Sequence, residues 1–169
     1  PYAASKAAQD MVSMVYSASY DIPIIRTRAF NHEGPRRDIL GANASFAFQI
    51  ARIERGLQKP IIKVGNLEAT RNFTDVVDLV EAYTLAMEKG NPSELYLIGS
   101  QNIYTMKECV YSLIGLSTHA DKISYEVDPK RVRPTELRTF IGDFKKFYDL
   151  TGWEPKIKFK DTMKSVLNY

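Results

Sequence analysis

Ile22 to Arg28 reads IPIIRTR, and the chain continues as AFNHEGPRR from Ala29 to Arg37. The first seven residues are β-branched and bounded by turn signals, which predicts a buried strand. The next stretch is Gly, Pro, Asn and charge, which predicts a loop from Asn31 to Asn43. Before the strand, Ala3 to Tyr20 carries Ala4, Ala7, Ala8, Met11, Val12, Met14 and Val15 at helical spacing, and Asp21 and Pro23 end that run. Helix, strand, polar loop is the unit of an α/β fold, and the unit recurs. Ser45 to Leu57 is an amphipathic helix with Phe46, Ile50 and Ile53 on one face. Pro60 to Val64 is a short strand. Arg71 to Thr74 is extended, and Asp75 caps a helix from Val76 to Lys89 with a stripe of Val77, Val80, Ala82, Tyr83 and Met87. Leu95 to Ile98 is a strand, Thr105 and Glu108 form a capping box for Met106 to Leu116, and Ile123 to Val127 is a strand. Asp128 to Pro134 is a basic loop. Asp143 opens a short helix, and Lys160 to Tyr169 is the last one. Helices alternate with short apolar strands, so a parallel sheet of three or four strands with open edges is expected.

Composition narrows the class. The chain has 169 residues, with 44% hydrophobic, 25% charged and 11% aromatic. Those values exclude a disordered tail, a collagen-like repeat and a coiled-coil rod. The formal charge is +3, from 23 basic and 20 acidic residues, too balanced to imply nucleic acid. The single cysteine, Cys109, cannot close an internal disulfide, so a reducing, cytoplasmic compartment is expected. No apolar run reaches the roughly 18 residues of a membrane span. The chain opens on Pro1-Tyr2 and enters a helical pattern at once, which reads as a piece of a longer chain.

Four segments carry chemistry. Tyr2 and Lys6 stand at i and i+4 of a helix, on one face. A neighbouring ammonium favours a phenolate and suits Tyr2 to move a proton, although an ordinary helix pair has the same spacing. Asn31 to Arg37 follows a strand end, where open α/β sheets bind ligands. Asn31 can donate and accept there, and Arg36 or Arg37 can grip phosphate; a solvated polar loop is the plain alternative. Gly65 to Asp75 places Arg71 ahead of a helix cap, which suits an anion or simply a surface charge. Lys130, Arg131 and Arg133, held between two prolines, could clamp a diphosphate, with Glu136 accepting from ribose hydroxyls, or could serve only solubility. His32 and His119 show no metal-ligand spacing, and no metal is expected. Cys109 sits on a helix stripe and reads as core.

The segments YAASK, RTRAFNHEGPRR, GNLEATRNFTDVVD, RVRPTE and GWEPKI span nearly the whole chain. In this order they resemble the extended short-chain dehydrogenase/reductase family. Within it they resemble the branch of GDP-mannose 4,6-dehydratases and GDP-4-keto-6-deoxymannose reductases. The resemblance implies the C-terminal part of a Rossmann-type NAD(P)-binding domain plus a smaller, helix-rich α/β substrate-binding lobe. Residues 1–30 and 71–100 would belong to the nucleotide-binding layer, and 31–70 and 101–169 to the substrate lobe. It implies Tyr2 and Lys6 as catalytic pair and cofactor contacts, with Asn31, His32 and Arg37 also toward NADP or NAD. Asn31, Arg71, Arg133 and Glu136 would meet a GDP-sugar. The implied reaction oxidises C4 of the sugar, eliminates water across C5 and C6, and returns hydride to C6. The 4-keto reductase, a nucleotide-sugar epimerase and a non-catalytic nucleotide-sugar-binding module are the alternatives. A nucleic-acid-binding domain built on Arg36, Arg37, Lys130, Arg131 and Arg133 is disfavoured by the balanced charge. The glycine-rich dinucleotide loop of the family is not in the chain, so the isolated residues are expected to be inactive. The layer that would face it should expose apolar surface, and a homo-oligomer is expected.

Overall fold

The computed structural model describes residues 1–132 and 137–169. Helix α1 spans Tyr2–Tyr20 and ends at Asp21, whose φ of 53° is left-handed. It buries only Ser17. Ser17 Oγ donates to the Ile22 carbonyl at 2.8 Å and lies 2.6 Å from the Ser93 hydroxyl. Asp10, halfway along, pairs with Arg26 at 3.3 Å and with Arg28.

The expected strand over 22–28 is displaced. Strand β1 is Arg26–Ala29, parallel to a later strand at Leu95–Ile98. Ile22 to Ile25 joins no ladder, and β1 is not buried: Thr27 and Arg28 are exposed. Among the described residues β1 pairs with the Leu95–Ile98 strand alone, so its other edge is open. The expected loop after it contains a short strand, β2, His32–Glu33, parallel to β5, Thr74–Asp75. Helix α2, Ala42–Glu54, begins three residues before Ser45 and buries Phe46, Ile50 and Ile53, as its spacing requires. Gly56 follows at φ 69°, a conformation glycine adopts without strain.

Strand β3, Ile61–Val64, runs parallel to β8, Ser124–Val127. Strand β4, Thr70–Asn72, is central in a mixed sheet, antiparallel to β7 at Ile103–Thr105 and parallel to β9 at Thr139–Phe140. The expected single parallel sheet is therefore replaced by four small sheets among the described residues.

Asp75 caps α3, Val76–Lys89, its Oδ1 accepting from Val77 N at 2.8 Å. The apolar stripe read on α3 is divided between core and surface, with Ala82 inside. Its buried residues are Asp78, Leu79, Ala82 and Ala86, while Val77, Val80 and Met87 are exposed. Asp78 fixes this rotation, since its Oδ2 accepts from Lys156 N at 3.1 Å and Ile157 N at 2.9 Å. Strand β6 is Leu95–Ile98. Helix α4, Met106–Ile114, carries the full capping box of Thr105 and Glu108. Helix α5, Lys145–Thr151, stops at Gly152 with φ 69°, and α6 is Phe159–Asn168.

Two cores result. One gathers α2, α4 and α6 around β3, with Ile50, Ile62, Val64, Cys109, Leu113 and Met163 inside. The other packs Leu79, Ala82 and Ala86 of α3 on Tyr96 and Ile98 of β6, with Phe147 and Trp153. Met11, Val12 and Val15 of α1 and Val77, Val80 and Met87 of α3 remain exposed, which is the apolar surface the sequence led us to expect.

Candidate functional site

A cleft of about 1320 Å³ opens where the β1–β2 segment, the start of α2, β3 and β4 converge. Residue alternation along the extended backbone decides what enters it. Asn31 and Glu33 line the cleft, and His32 between them does not. The His32 ring turns back instead: its Nδ1 lies 3.0 Å from the Phe30 carbonyl. A carbonyl can only accept, so Nδ1 carries the proton.

Arg37, Arg52, Lys59, Lys63, Arg71, Lys130 and Arg131 line the cleft, against two carboxylates, Glu33 and Asp128. Apolar walls come from Phe46, Phe48, Phe73 and Met106. Several of the cations are held in place. Arg71 donates to the Leu137 carbonyl at 2.7 Å and to the Thr70 carbonyl at 2.8 Å. Arg131 donates to Ser45 Oγ at 2.9 Å, and Lys63 pairs with Glu126 at 2.7 Å. Gly65 lets the 3-10 turn at Pro129–Arg131 approach, because a Cβ there would lie 2.6 Å from the Arg131 carbonyl oxygen. The polar floor is Gln49, whose Oε1 accepts from Lys63 N at 2.8 Å and whose Nε2 donates to the Lys63 carbonyl at 3.1 Å.

Arg37 donates to the His32 carbonyl at 2.8 Å, and its Nε lies 3.5 Å from Glu33 Oε2. Glu33 is only 4% exposed. Burial pushes its carboxyl up to about 7, opposed by the Arg37 charge and the nearby Asn43 amide.

Tyr2 and Lys6 lie on the first turns of α1, outside the residues that line the cleft. Lys6 Nζ is 5.9 Å from the Tyr2 ring centroid and donates to Gln9 Oε1 at 3.2 Å. The Tyr2 side chain is open to its surroundings, 76% exposed. Asn31, Arg37 and Arg71 are thus brought together, with Lys130 and Arg131, while Tyr2 with Lys6 and His32 stand apart. Arg133 and Glu136 lie outside the described residues. Glu33 was missed in the sequence because a carboxylate in a polar loop reads as solvated. Its alternation with Asn31 after a strand end is the signal that finds it. Among the described residues no cluster of His, Cys, Asp or Glu could hold a metal, and no helix is long and apolar enough to cross a membrane.

Parallel strand pairs with a helix after the strand, and a basic cleft beyond the strand ends, define an α/β protein of the Rossmann type. The class narrows further on comparison with known proteins. The chain belongs to the GDP-mannose 4,6 dehydratase family, whose model matches residues 1–166. It is 32% identical to GDP-6-deoxy-D-mannose reductase of Pseudomonas aeruginosa, over 99% of this chain and 55% of that one. It is 31% identical to GDP-mannose 4,6 dehydratase 1 of Arabidopsis thaliana, over 99% of this chain and 46% of that one. Among solved structures, RMD from Pseudomonas aeruginosa complexed with NADPH superposes with a TM-score of 0.90 at 29% identity, covering 99% of this chain and 55% of that one. The chain spans about half the length of the curated relatives it matches.

Proposed function

We propose that this chain supplies the acid–base helix and the sugar-nucleotide cleft of an NADP- or NAD-dependent GDP-mannose 4,6-dehydratase, a lyase by net reaction. One observation carries the reading. Among the described residues one cleft sets seven cations against two carboxylates beside aromatic walls, which is the chemistry a nucleoside diphosphate needs. Arg71 and Asn31 meet the GDP-sugar, with Arg133 and Glu136 assigned beside them by the resemblance alone. Tyr2, Lys6, Asn31, His32 and Arg37 face the dinucleotide. Residues 1–30 and 71–100 serve the nucleotide-binding layer, and 31–70 and 101–169 serve the substrate lobe.

The residues fit the cofactor to this extent: Tyr2 and Lys6 present an exposed phenol and ammonium from one helix face. A nicotinamide bound there supplies reversible hydride transfer. Tyr2 would take the proton of the C4 hydroxyl at its phenol oxygen; C4 remains a ketone, so that proton is released at C5, which must be protonated when hydride returns to C6. The Lys6 ammonium stabilises the negative charge that develops on that oxygen. Arg71 is placed to hold diphosphate, the plane of its guanidinium being fixed by the bonds from Nη1 and Nη2 to the Thr70 and Leu137 carbonyls.

The matched relatives are about twice as long as this chain. The 169 residues alone should therefore bind NADP(H) weakly and turn over nothing, and measurable turnover by them would refute this. Exposed apolar side chains on α1 and α3 support association, with a second copy or with the rest of a longer chain.

The reductase is the second reading, favoured by the 32% identity to the Pseudomonas aeruginosa enzyme. Incubation of the full chain with GDP-mannose and NADP separates the two. A dehydratase converts the sugar with no net change in NADPH. A reductase leaves GDP-mannose untouched and consumes NADPH with the 4-keto sugar. Calorimetry with GDP-mannose, UDP-glucose and DNA tests the cleft itself. GDP-mannose binding weakened about tenfold or more in Arg71→Ala supports it. No response to any nucleotide sugar refutes it.

A further inference from the structure

The buried carboxyl of Glu33 sits beside the cleft, and the function above does not use it. Glu33 is on β2, 4% exposed, and its Oε2 has no hydrogen-bond partner among the described residues. The Arg37 guanidinium faces that oxygen, Nε at 3.5 Å, and the Asn43 amide lies near the same carboxyl. The backbone is shaped around this pair. Arg36 adopts a left-handed φ of 70°, which reverses the chain and returns Arg37 toward Glu33. Gly41 leaves the guanidinium its space, since a Cβ there would lie 2.5 Å from Arg37 Nε. The His32 carbonyl takes a second hold through Arg37 Nη1 at 2.8 Å. Asn43, fully buried at the start of α2, also has both side-chain polar atoms without a partner among the described residues. A carboxyl left half-satisfied in this way opposes folding, and an apolar side chain of the same size would pack there without that cost.

We propose that Glu33 is a positioning residue: its carboxylate holds the Arg37 guanidinium at the cleft wall, oriented to receive a phosphate of the bound nucleotide. The proposal rests on the reading of the cleft as a nucleotide site. The phosphate belongs either to the dinucleotide or to the sugar nucleotide, and the two are titrated separately.

The test is a double-mutant cycle in the full chain with Glu33→Gln, Arg37→Ala and the pair together. Calorimetry measures NADPH and GDP-mannose affinity at about pH 8, where a group with a value near 7 is ionised, and urea denaturation accompanies it. Glu33→Gln is expected to weaken one of the two ligands about tenfold while the variant folds at least as stably as the parent. The double variant should bind no worse than Arg37→Ala alone. A purely structural Glu33 would lower stability together with affinity, and that result overturns the proposal. So does unchanged affinity in Glu33→Gln where Arg37→Ala weakens binding, or fully additive effects. Unchanged affinity for both ligands in Arg37→Ala refutes the nucleotide reading of this wall, and the proposal falls with it.

Discussion

Replacing Glu33 by Gln should make the protein more stable, by a margin that grows as pH rises from about 4.5 to about 7. Burial raises the Glu33 carboxyl from 4.5 to about 7 in the folded chain, against the opposing pull of Arg37. The folded state therefore binds this proton more tightly than the unfolded one does. Stability from that proton is fully present below the unfolded value of 4.5 and is lost as pH rises through about 7. At about 1.4 kcal/mol per factor of ten in acidity, the full loss is about 3 kcal/mol. Glutamine keeps the shape of the neutral acid and cannot ionise. Urea denaturation of both proteins at intervals from about pH 4 to about pH 8 measures the difference directly. The two should be equally stable at the acid end and diverge by about 3 kcal/mol at the alkaline end, with Gln the more stable. Parallel curves, or a Gln variant that is weaker throughout, would refute the reasoning.

Other outcomes follow from the cores and caps. Asp75 both caps α3 and accepts from the buried Thr162 hydroxyl at 2.7 Å. Asp75→Ala should cost about 2–4 kcal/mol in urea denaturation, and Asp75→Asn about half as much because it keeps the cap. Leu113 is fully buried in the larger core, so Leu113→Ala should cost about 2–5 kcal/mol by the same measurement. Burial, and next the charge of Glu33, push the Cys109 thiol far above its usual range. A thiol-reactive dye should therefore label Cys109 no faster than the chain unfolds, and fast labelling of the folded protein would contradict its burial.

Local signals in the sequence survived folding, and non-local ones did not. Asp75 and the Thr105–Glu108 box cap their helices because a cap needs only the residues beside it. Leu95–Ile98 is a strand as read, since the turn signals around it lie close by. By contrast β2, β7 and β9 are two or three residues long and exist through partners about 30 to 70 positions away in the chain. Which side of α3 is buried was not legible either, because it depends on Asp78 and its bonds to Lys156 N and Ile157 N, nearly 80 positions away. At the cleft, Asn31 and Arg71 could be placed from the strand end and the cap near them. Glu33 and the grip of Arg37 on the His32 carbonyl could not, because they depend on Arg36 reversing the backbone.

The sparse anchoring of α1 has a mechanical consequence. A helix rises 1.5 Å per residue, so Tyr2 stands about 22 Å from the Ser17 hydroxyl contacts that pin the far end. On such a lever a tilt of about 5° at the Asp21 corner swings the phenol by about 2 Å. A displacement of about 1 Å in a reacting group can cost a hundredfold in rate. The brace against that swing is Asp10, midway along the arm, tied to Arg26 and Arg28 of β1. Arg28 is solvent-exposed in this brace, so it is open to screening by ions. In these 169 residues taken alone, rising ionic strength would then loosen α1 at concentrations that leave both apolar cores intact, and packing of its exposed Met11, Val12 and Val15 against further surface would remove that sensitivity.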